Sequence, residues 1–167
     1  AQSREEHKWI ITNLASIKLK RVKARILDVG CGGGFLLQRL SKQYSFDQLC
    51  GVDVNKPMIF SAKKRVQADL ILSSAEMLPF KDGSFDAVSC QNLLHHLWHA
   101  KYAISEMKRV LKRTGHLLIV EQCVNHKILS RIIFLYTLLL TIIGRHPPVN
   151  FLTPDEVYET LSMPILQ

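Results

Sequence analysis

The chain has 167 residues, 47% of them hydrophobic and 22% charged, which suits one globular domain and is short for two. Its formal net charge is +8, but aromatic residues do not interleave with the basic ones as single-stranded nucleic acid would require, so nucleic acid is an alternative partner and not the favoured one. Residues 1–16 are charged and amphipathic, unlike the apolar core of a secretory signal.

Strand and helix signals alternate along most of the chain. Asn55 and Pro57 are typical of the cap and first turn of a helix, and Gly115 predicts a turn before the last strand. Phe35 is expected on the inner side of the first helix of the core. This alternation predicts an α/β fold with a doubly wound, mostly parallel sheet and helices on both faces. The predicted strands are 25–29, 48–52, 69–72, 85–90 and 116–121, and the predicted helices between them are 33–43, 56–66 and 99–111.

Two further segments flank this alternating core, which spans 21–123 of a single domain. Residues 1–20 predict an N-terminal helix. The run 128–143 is too short to span a membrane, which takes about 20 residues, and too apolar all round for a surface helix. A capping-box pattern at 153–156 predicts one more helix. We therefore expect 124–167 to form apolar helices that cover a substrate or make an interface.

The four cysteines lie in or beside apolar runs and show no C-x-x-C spacing. We therefore expect them to be buried free thiols, which indicates a reducing compartment and a cytoplasmic location. They are Cys31, Cys50, Cys90 and Cys123.

The basic residues form two clusters, one before the first predicted strand and one at the end of a predicted helix. Such clusters are typical of a solvated face and of favourable charges at a helix C-terminus. We favour that interpretation over a footprint for nucleic acid or anionic lipid. The members are Lys18, Lys20, Arg21, Lys23 and Arg25 in the first cluster, and Lys108, Arg109, Lys112 and Arg113 in the second.

The segment 26–34 reads Ile-Leu-Asp-Val-Gly-Cys-Gly-Gly-Gly, a strand that runs into a glycine-rich turn. Because Gly30 and 32–34 carry no side chain, the backbone there can approach a ligand closely. Asp53 ends the next strand, where a carboxylate can accept hydrogen bonds from a ribose diol. The G-x-G-x-x-G motif of dinucleotide sites would need glycine in place of Phe35, and the loop has no basic residue for a pyrophosphate. The pattern predicts a nucleoside-containing cofactor without phosphates.

Four further motifs follow in the order typical of one enzyme family. With them, the stretch from about Arg21 to Val120 resembles the class I S-adenosylmethionine-dependent methyltransferases of the small-molecule type. The resemblance implies a Rossmann-like sheet, S-adenosyl-L-methionine as cofactor, and methyl transfer. Because resembling proteins add two more strands, this chain is expected to lack the last C-terminal strands. The motifs are Gly51-Val52-Asp53-Val54, Ala75-Glu76-Met77-Leu78-Pro79-Phe80 with Asp82-Gly83-Ser84-Phe85-Asp86, Leu94-His95-His96-Leu97, and Glu106-Met107-Lys108-Arg109-Val110-Leu111-Lys112 before Gly115.

The resemblance also implies a role for residues at the strand ends. Asp28 orders the glycine loop, whose backbone contacts the amino-acid part of the cofactor. Asp53 binds the ribose hydroxyls, and Val54 lies against the adenine ring. Gln91, Asn92 and Leu93 line the pocket near the transferable methyl group. The full implied set is Asp28, Gly30, Cys31, Gly32, Gly34, Asp53, Val54, Ser74, Ala75, Gln91 and Asn92.

One position departs from the family. Ser73-Ser74 stands where resembling enzymes commonly have Gly-Asp, whose carboxylate accepts a hydrogen bond from the adenine amino group. A hydrogen bond to a charged acceptor contributes about 1.5–3 kcal/mol, against about 1 kcal/mol for a neutral one. We therefore expect adenine to be held about tenfold less tightly, unless Glu76 or the backbone compensates.

The histidines His95 and His96 are candidates for a general base, because histidine titrates near neutral pH. We favour a packing or turn-capping role, since methyl transfer from a sulfonium depends mainly on positioning. No catalytic residue is assigned. No metal site is expected either, because these histidines and His99 have no cysteine or acid at ligand spacing.

The acceptor is the least determined part of the prediction. The apolar run 128–143 follows the fifth strand, where resembling enzymes insert substrate-covering elements, so we favour a small apolar acceptor. A homodimer through 128–143 and peripheral contact with a membrane are alternatives. Residues 89–92 lack the Asn/Asp-Pro-Pro-aromatic motif of nucleic-acid amino methylation. Two other functions stay open, a non-catalytic module that binds S-adenosylmethionine or S-adenosylhomocysteine, and an RNA methyltransferase.

Overall fold

The computed structural model describes residues 2–16, 24–123, 127–142 and 151–162. The strands are β1 (Arg25–Val29), β2 (Gln48–Asp53), β3 (Asp69–Leu72), β4 (Phe85–Gln91) and β5 (Leu111–Val120). The helices are α1 (Gln2–Ser16), α2 (Phe35–Gln43), α3 (Lys56–Arg65), α4 (Ala100–Val110), α5 (Lys127–Ile142) and α6 (Pro154–Ser162), with a short 3-10 helix (Leu94–His96) between β4 and α4. Within these ranges, none of the helices combines the length and the hydropathy needed to cross a membrane.

The five strands of the described residues form one parallel sheet in the order β3-β2-β1-β4-β5. The chain adds β2 and β3 on one side of β1 and then crosses to add β4 and β5 on the other side. Strand order therefore reverses between β1 and β4, and such a switch point is where open α/β sheets bind ligands. The predicted α/β architecture is confirmed, and β1 to β4 end within one residue of their predicted limits.

The core lies on both faces of this sheet, because alternate residues of a strand point to opposite sides. Ile26 of β1 packs in a buried cluster with Ile10 of α1 and Leu37 of α2. Its neighbour Leu27 packs in a second cluster with Met107 of α4. Helices therefore cover both faces, which explains why β1 is buried at four consecutive residues and not at alternate ones.

The fifth strand differs from its prediction. Helix α4 ends at Val110, and β5 begins at Leu111 where a turn at Gly115 and a strand from 116 were expected. Leu111 pairs with Phe85, and pairing resumes only at His116, so 112–115 form an irregular bulge opposite a single residue of β4. A Cβ on Gly115 would lie 2.7 Å from Leu111 Cδ1, so glycine lets the bulge fold back on the strand's first residue.

Two predictions of burial are wrong. Phe35 is 56% exposed and lies outside the core, where the guanidinium carbon of Arg65 is 3.8 Å from its ring centroid. The reason is that Gly34 adopts a left-handed conformation (φ 74°) and the helix begins only at Phe35. Cys123 is exposed, since it follows the end of β5, whereas the other three cysteines are buried free thiols as predicted.

The predicted helix caps are confirmed. Asn55 accepts a hydrogen bond from Met58 N (3.2 Å) at the start of α3. At the start of α6, Thr153 N donates to Glu156 Oε2 (2.8 Å) and Glu156 N donates to Thr153 Oγ1 (3.3 Å), which is a reciprocal capping box. Helix α1 lies within the N-terminal segment 1–20 for which a helix was expected. The basic residues Lys18, Lys20, Arg21 and Lys23 and the end of the apolar run at residue 143 lie outside the described residues.

An arginine of α4 holds the loop between β3 and β4. Arg109 donates hydrogen bonds to the carbonyl oxygens of Phe80 (2.8 Å) and Leu78 (3.0 Å) and to the carboxylate of Glu106. Glu106 in turn accepts from Leu78 N (2.7 Å). The hydrogen bonds from Arg109 also hold the pKa of Glu106 below its usual range. A planar guanidinium can serve these partners together, whereas an ammonium group cannot.

We predict that Arg109→Lys lowers the free energy of unfolding by about 1–3 kcal/mol, because loop carbonyls lose their donors. Urea denaturation followed by circular dichroism measures the change. Arg113→Lys is the matched control, since Arg113 is an exposed arginine beyond the same helix. Equal unfolding midpoints for the two variants would contradict the role given to Arg109.

Candidate cofactor site

Two cavities of about 200 Å³ each lie beside the switch point and meet at Gly30. The first, the Asp53 cavity, joins the ends of β2 and β3 to the segment after β4. The second, the Asp28 cavity, joins the glycine loop to the end of β4 and to α1. The Asp53 cavity is lined by Gly30, Val52, Asp53, Val54, Ser73, Ser74, Ala75, Glu76, Leu93, His96, Leu97 and Trp98. The Asp28 cavity is lined by His7, Asp28, Gly30, Cys31, Gly32, Gly33, Phe35, Leu36, Gln91 and Asn92.

The structure thus brings ten of the eleven predicted cofactor residues to these two cavities. Gly34 is the exception, since it lines neither of them. A Cβ on Gly34 would lie 2.9 Å from Ala62 Cβ, so this glycine allows α2 to pack closely on α3. Leu93 was predicted to line the pocket and lines the Asp53 cavity, whereas Trp98 of the same segment was missed because no motif of polar residues marks it.

The glycine loop presents bare backbone. Gly30 and Gly32 adopt left-handed conformations (φ 74° and 51°), which strain any residue with a side chain. A Cβ on Gly30 would lie 3.0 Å from Leu93 Cδ2, at the junction of the two cavities. A Cβ on Gly32 would meet no atom of the described chain within 4 Å. The loop therefore exposes its backbone to a ligand, and a residue with a side chain at Gly30 or Gly32 would strain that backbone.

Asp53 fixes the loop and keeps capacity for a ligand. Its Oδ2 accepts a hydrogen bond from Gly32 N (2.8 Å), and its Oδ1 accepts one from Asn55 N (2.8 Å). Because a carboxylate offers about four lone-pair sites, each oxygen can accept one more hydrogen bond. A pair of adjacent hydroxyl groups could use both sites.

Asp28 is a buried acid beneath the second cavity. It is 3% exposed, and Ser89 Oγ donates a hydrogen bond to its Oδ1 (2.8 Å). Burial, with a smaller contribution from the charge of Asp53, raises the pKa of Asp28 to about 7 against the opposing effect of the hydrogen bond from Ser89. A cationic group in this cavity would favour the ionised carboxylate. Ser89 was missed, although a lone hydroxyl within a buried strand could have indicated it.

Ser74 is engaged in a local turn. Its Oγ accepts a hydrogen bond from Glu76 N (3.1 Å), while the neighbouring Ser73 Oγ donates to Met77 O (3.0 Å). Ser74 and Ala75 line the Asp53 cavity together with Val54, which is 75% exposed. The turn explains how serine is accommodated at this position, and it leaves Ser74 as a neutral hydroxyl beside the cavity.

Helix α1 closes the Asp28 cavity from above, which the sequence did not predict. Glu6 Oε2 accepts a hydrogen bond from Asn92 Nδ2 (2.9 Å) and a second, shorter one from Gln91 Nε2. His7, which is 7% exposed, lines the same cavity. Asn92 itself has a left-handed backbone (φ 48°).

The two histidines have different surroundings. His95 is buried, its Nδ1 forms a hydrogen bond with Glu121 Oε1, and its ring stacks on Phe151 at a centroid distance of 5.2 Å. Glu121 Oε2 also accepts from Leu94 N (2.7 Å). His95 thereby joins the 3-10 helix to the end of β5, whereas His96 lines the Asp53 cavity. The described residues hold no group of three or more His, Cys, Asp or Glu side chains placed for a metal ion.

Taken together, the cavities offer a carboxylate for two hydroxyls, bare backbone between them, and a buried acid for a cation. These features fit S-adenosylmethionine, which carries a ribose at one end and an amino-acid group at the other. They do not fit a dinucleotide, because none of the described residues that line the two cavities is a lysine or an arginine for a pyrophosphate.

Comparison with known proteins agrees with this geometry. Residues 27–119 match the family described as "Methyltransferase domain". The uncharacterized methyltransferase YcgJ of Bacillus subtilis is 36% identical over 108 residues, which are 60% of this chain and 42% of that protein. A ubiquinone biosynthesis O-methyltransferase of Xanthomonas oryzae is 37% identical over 106 residues, 61% of this chain and 44% of its own. The ubiquinone/menaquinone biosynthesis C-methyltransferase UbiE of Paraburkholderia phytofirmans is 33% identical over 119 residues, which are 68% of this chain and 49% of that protein.

The chain therefore spans less than half the length of the curated relatives it matches. The crystal structure of the Bacillus subtilis YcgJ protein superposes with a TM-score of 0.75 at 25% identity, covering 94% of this chain and 66% of that one. The family match at 27–119 covers more than half of the sequence. It includes nearly all of the sheet, from the third residue of β1 to the last but one of β5. On this evidence the chain belongs to the class I S-adenosylmethionine-dependent methyltransferases, with the Rossmann-like fold of that family.

Proposed function

We propose that this chain binds S-adenosylmethionine across the Asp53 and Asp28 cavities, and that the protein transfers its methyl group to a small apolar acceptor. The observation that carries the proposal is the meeting of the two cavities at Gly30, with Asp53 in one and Asp28 in the other. The ribose would lie against Asp53, with Val54 and Ala75 beside the adenine ring. The amino-acid group would lie in the Asp28 cavity.

The chemistry assigned to the chain is binding and orientation. Bound S-adenosylmethionine supplies a methyl group on a positively charged sulfur, which needs no further activation. The glycine loop and Asp53 would fix the cofactor, and Leu93 and Trp98 would keep water from one wall of the Asp53 cavity. Correct placement of an acceptor is then the main contribution to rate. No general base is assigned. His96 lines the Asp53 cavity, and the packing or turn-capping role expected for it stays a prediction.

The apolar acceptor is supported by the position of α5. Its residues Ile128, Ile132, Leu135 and Tyr136 are exposed and recur at helical spacing, so they form one apolar face. From the same helix, Phe134 contacts Trp98 edge to face at 6.0 Å, and Trp98 lines the Asp53 cavity. Relatives named for ubiquinone biosynthesis point to the same class of acceptor. A dimer interface on this face is the alternative use.

We predict that Asp53→Ala weakens S-adenosylhomocysteine binding about a hundredfold or more, because two hydroxyl groups lose a charged acceptor. Isothermal titration calorimetry measures the affinity, and circular dichroism verifies the fold. Asp47→Ala serves as the control, since Asp47 is exposed and precedes β2, at the opposite end of the strand from Asp53. An unchanged dissociation constant for Asp53→Ala would disprove the ribose assignment.

We predict that Ser74→Asp tightens S-adenosylhomocysteine binding about tenfold. One carboxylate oxygen can still accept the hydrogen bond from Glu76 N, and the other can accept from the adenine amino group. The matched control is S-inosylhomocysteine, which has an oxygen in place of that amino group and should gain nothing. If both ligands gain equally, or neither gains, the adenine edge does not lie at Ser74.

The raised pKa of Asp28 predicts a pH dependence. A cationic amino-acid group binds the ionised carboxylate better, so ligand binding must release a proton from Asp28 at pH values below about 7. Affinity for S-adenosylhomocysteine should therefore rise between pH 6 and pH 7 and level off above, and Asp28→Asn should remove the step. Titration calorimetry in two buffers of different ionisation enthalpy counts the released proton. A flat profile for the parent protein would contradict the prediction.

A further inference from the structure

Two buried polar atoms of the described residues have no hydrogen-bond partner, and they belong to the same cavity. They are His7 Nδ1 and Asn92 Oδ1. Both residues line the Asp28 cavity, to which they come from α1 and from the end of β4. Buried polar atoms in folded proteins are normally paired, and a cavity beside an unpaired one indicates where its partner belongs.

The position of His7 is fixed by the packing of α1. Two helical turns are anchored in the core, since Ile10 and Leu14 are 0% and 2% exposed. Glu6, the residue before His7, accepts the hydrogen bonds from Gln91 and Asn92. The packing of α1 therefore holds the ring beside the cavity, where its Nδ1 has no partner among the described residues.

The two unpaired atoms define the chemistry of their missing partner. Asn92 Oδ1 can only accept a hydrogen bond, and His7 Nδ1 can donate or accept one according to its tautomer. Burial, followed by the charge of Arg39, lowers the pKa of His7, so the ring is neutral at neutral pH. Asp28 in the same cavity suits a cation. An α-amino-acid group has both donors on its ammonium and acceptors on its carboxylate, so it can satisfy all three residues.

We propose that α1 is part of the cofactor site, where His7 Nδ1 and Asn92 Oδ1 bind the amino-acid end of the ligand. This inference rests on the proposed function, since it identifies the ligand as S-adenosylmethionine. It makes α1 a cover over one half of the cofactor, and it means that the site needs a segment outside the match at 27–119. Glu6 is then a positioning residue, which holds α1 against the end of β4.

The test compares two ligands that differ at the end in question. S-adenosylhomocysteine carries the amino-acid group, whereas 5′-methylthioadenosine has the same adenosine and thioether without it. We expect His7→Ala to weaken S-adenosylhomocysteine about tenfold and to leave 5′-methylthioadenosine unchanged. Lys8→Ala is the control on the same helix, because Lys8 has a side chain that is 74% exposed and its loss should affect neither ligand.

The outcomes separate this inference from the function it rests on. If the parent protein binds neither ligand, the proposed function fails and the inference fails with it. If the parent binds both and His7→Ala leaves S-adenosylhomocysteine unaffected, only the role of His7 is overturned. An equal loss for both ligands would also overturn it, because His7 would then act through the fold alone.

Conservative variants keep the test informative if His7→Ala loosens α1. Asparagine places its amide near the position of Nδ1, and glutamine places its amide near that of Nε2. We expect His7→Asn to retain most of the affinity for S-adenosylhomocysteine and His7→Gln to lose about as much as His7→Ala, with the helical signal of all three unchanged by circular dichroism. The reverse order would overturn the assignment of Nδ1 to the ligand.

Discussion

The hydrogen bond from Gly32 N to the Asp53 carboxylate is the interaction on which the candidate site depends. It ties the loop after β1 to the tip of β2, and Gly30 N and Cys31 N strengthen the tie by donating to Val52 O at 2.9 Å. The parallel register of β1 and β2 places these groups side by side. The loop can turn this sharply because glycine tolerates the left-handed backbone that the contact requires.

The second acid shows a different balance between folding and binding. Asp28 lies under the loop at 3% exposure, and a buried carboxyl with a raised pKa does not favour folding as an apolar side chain would. Ser89 compensates in part with one hydrogen bond. A cationic ligand would stabilise the ionised form of Asp28. The residue that lowers the stability of the ligand-free protein would therefore strengthen the proposed complex.

Much of this arrangement could be predicted from sequence because the signals are local. Strands β1 to β4 are mostly apolar segments with clear ends, Asn55 caps α3, and Asp53 is the last residue of its strand. The errors arise where a residue has two interpretations. Gly115 indicates a turn in sequence, whereas in the structure it relieves crowding inside a bulge. The contact of Glu6 with Gln91 joins residues 85 positions apart, and no spacing in the sequence can indicate it.

The flanking helices explain how one cofactor core can serve relatives with different reactions. The family match covers 27–119, so it includes neither α1 nor α5. His7 of α1 lines the Asp28 cavity, and Phe134 of α5 contacts Trp98, which lines the Asp53 cavity. Relatives named as O- and C-methyltransferases share the core. In the proposed complex the strand ends hold most of the cofactor and α1 covers its amino-acid end, so the choice of acceptor would depend on the other segments around the cavities. Of the two flanking helices, α5 carries the exposed apolar residues, so the proposed preference for an apolar acceptor is to be tested with variants of α5.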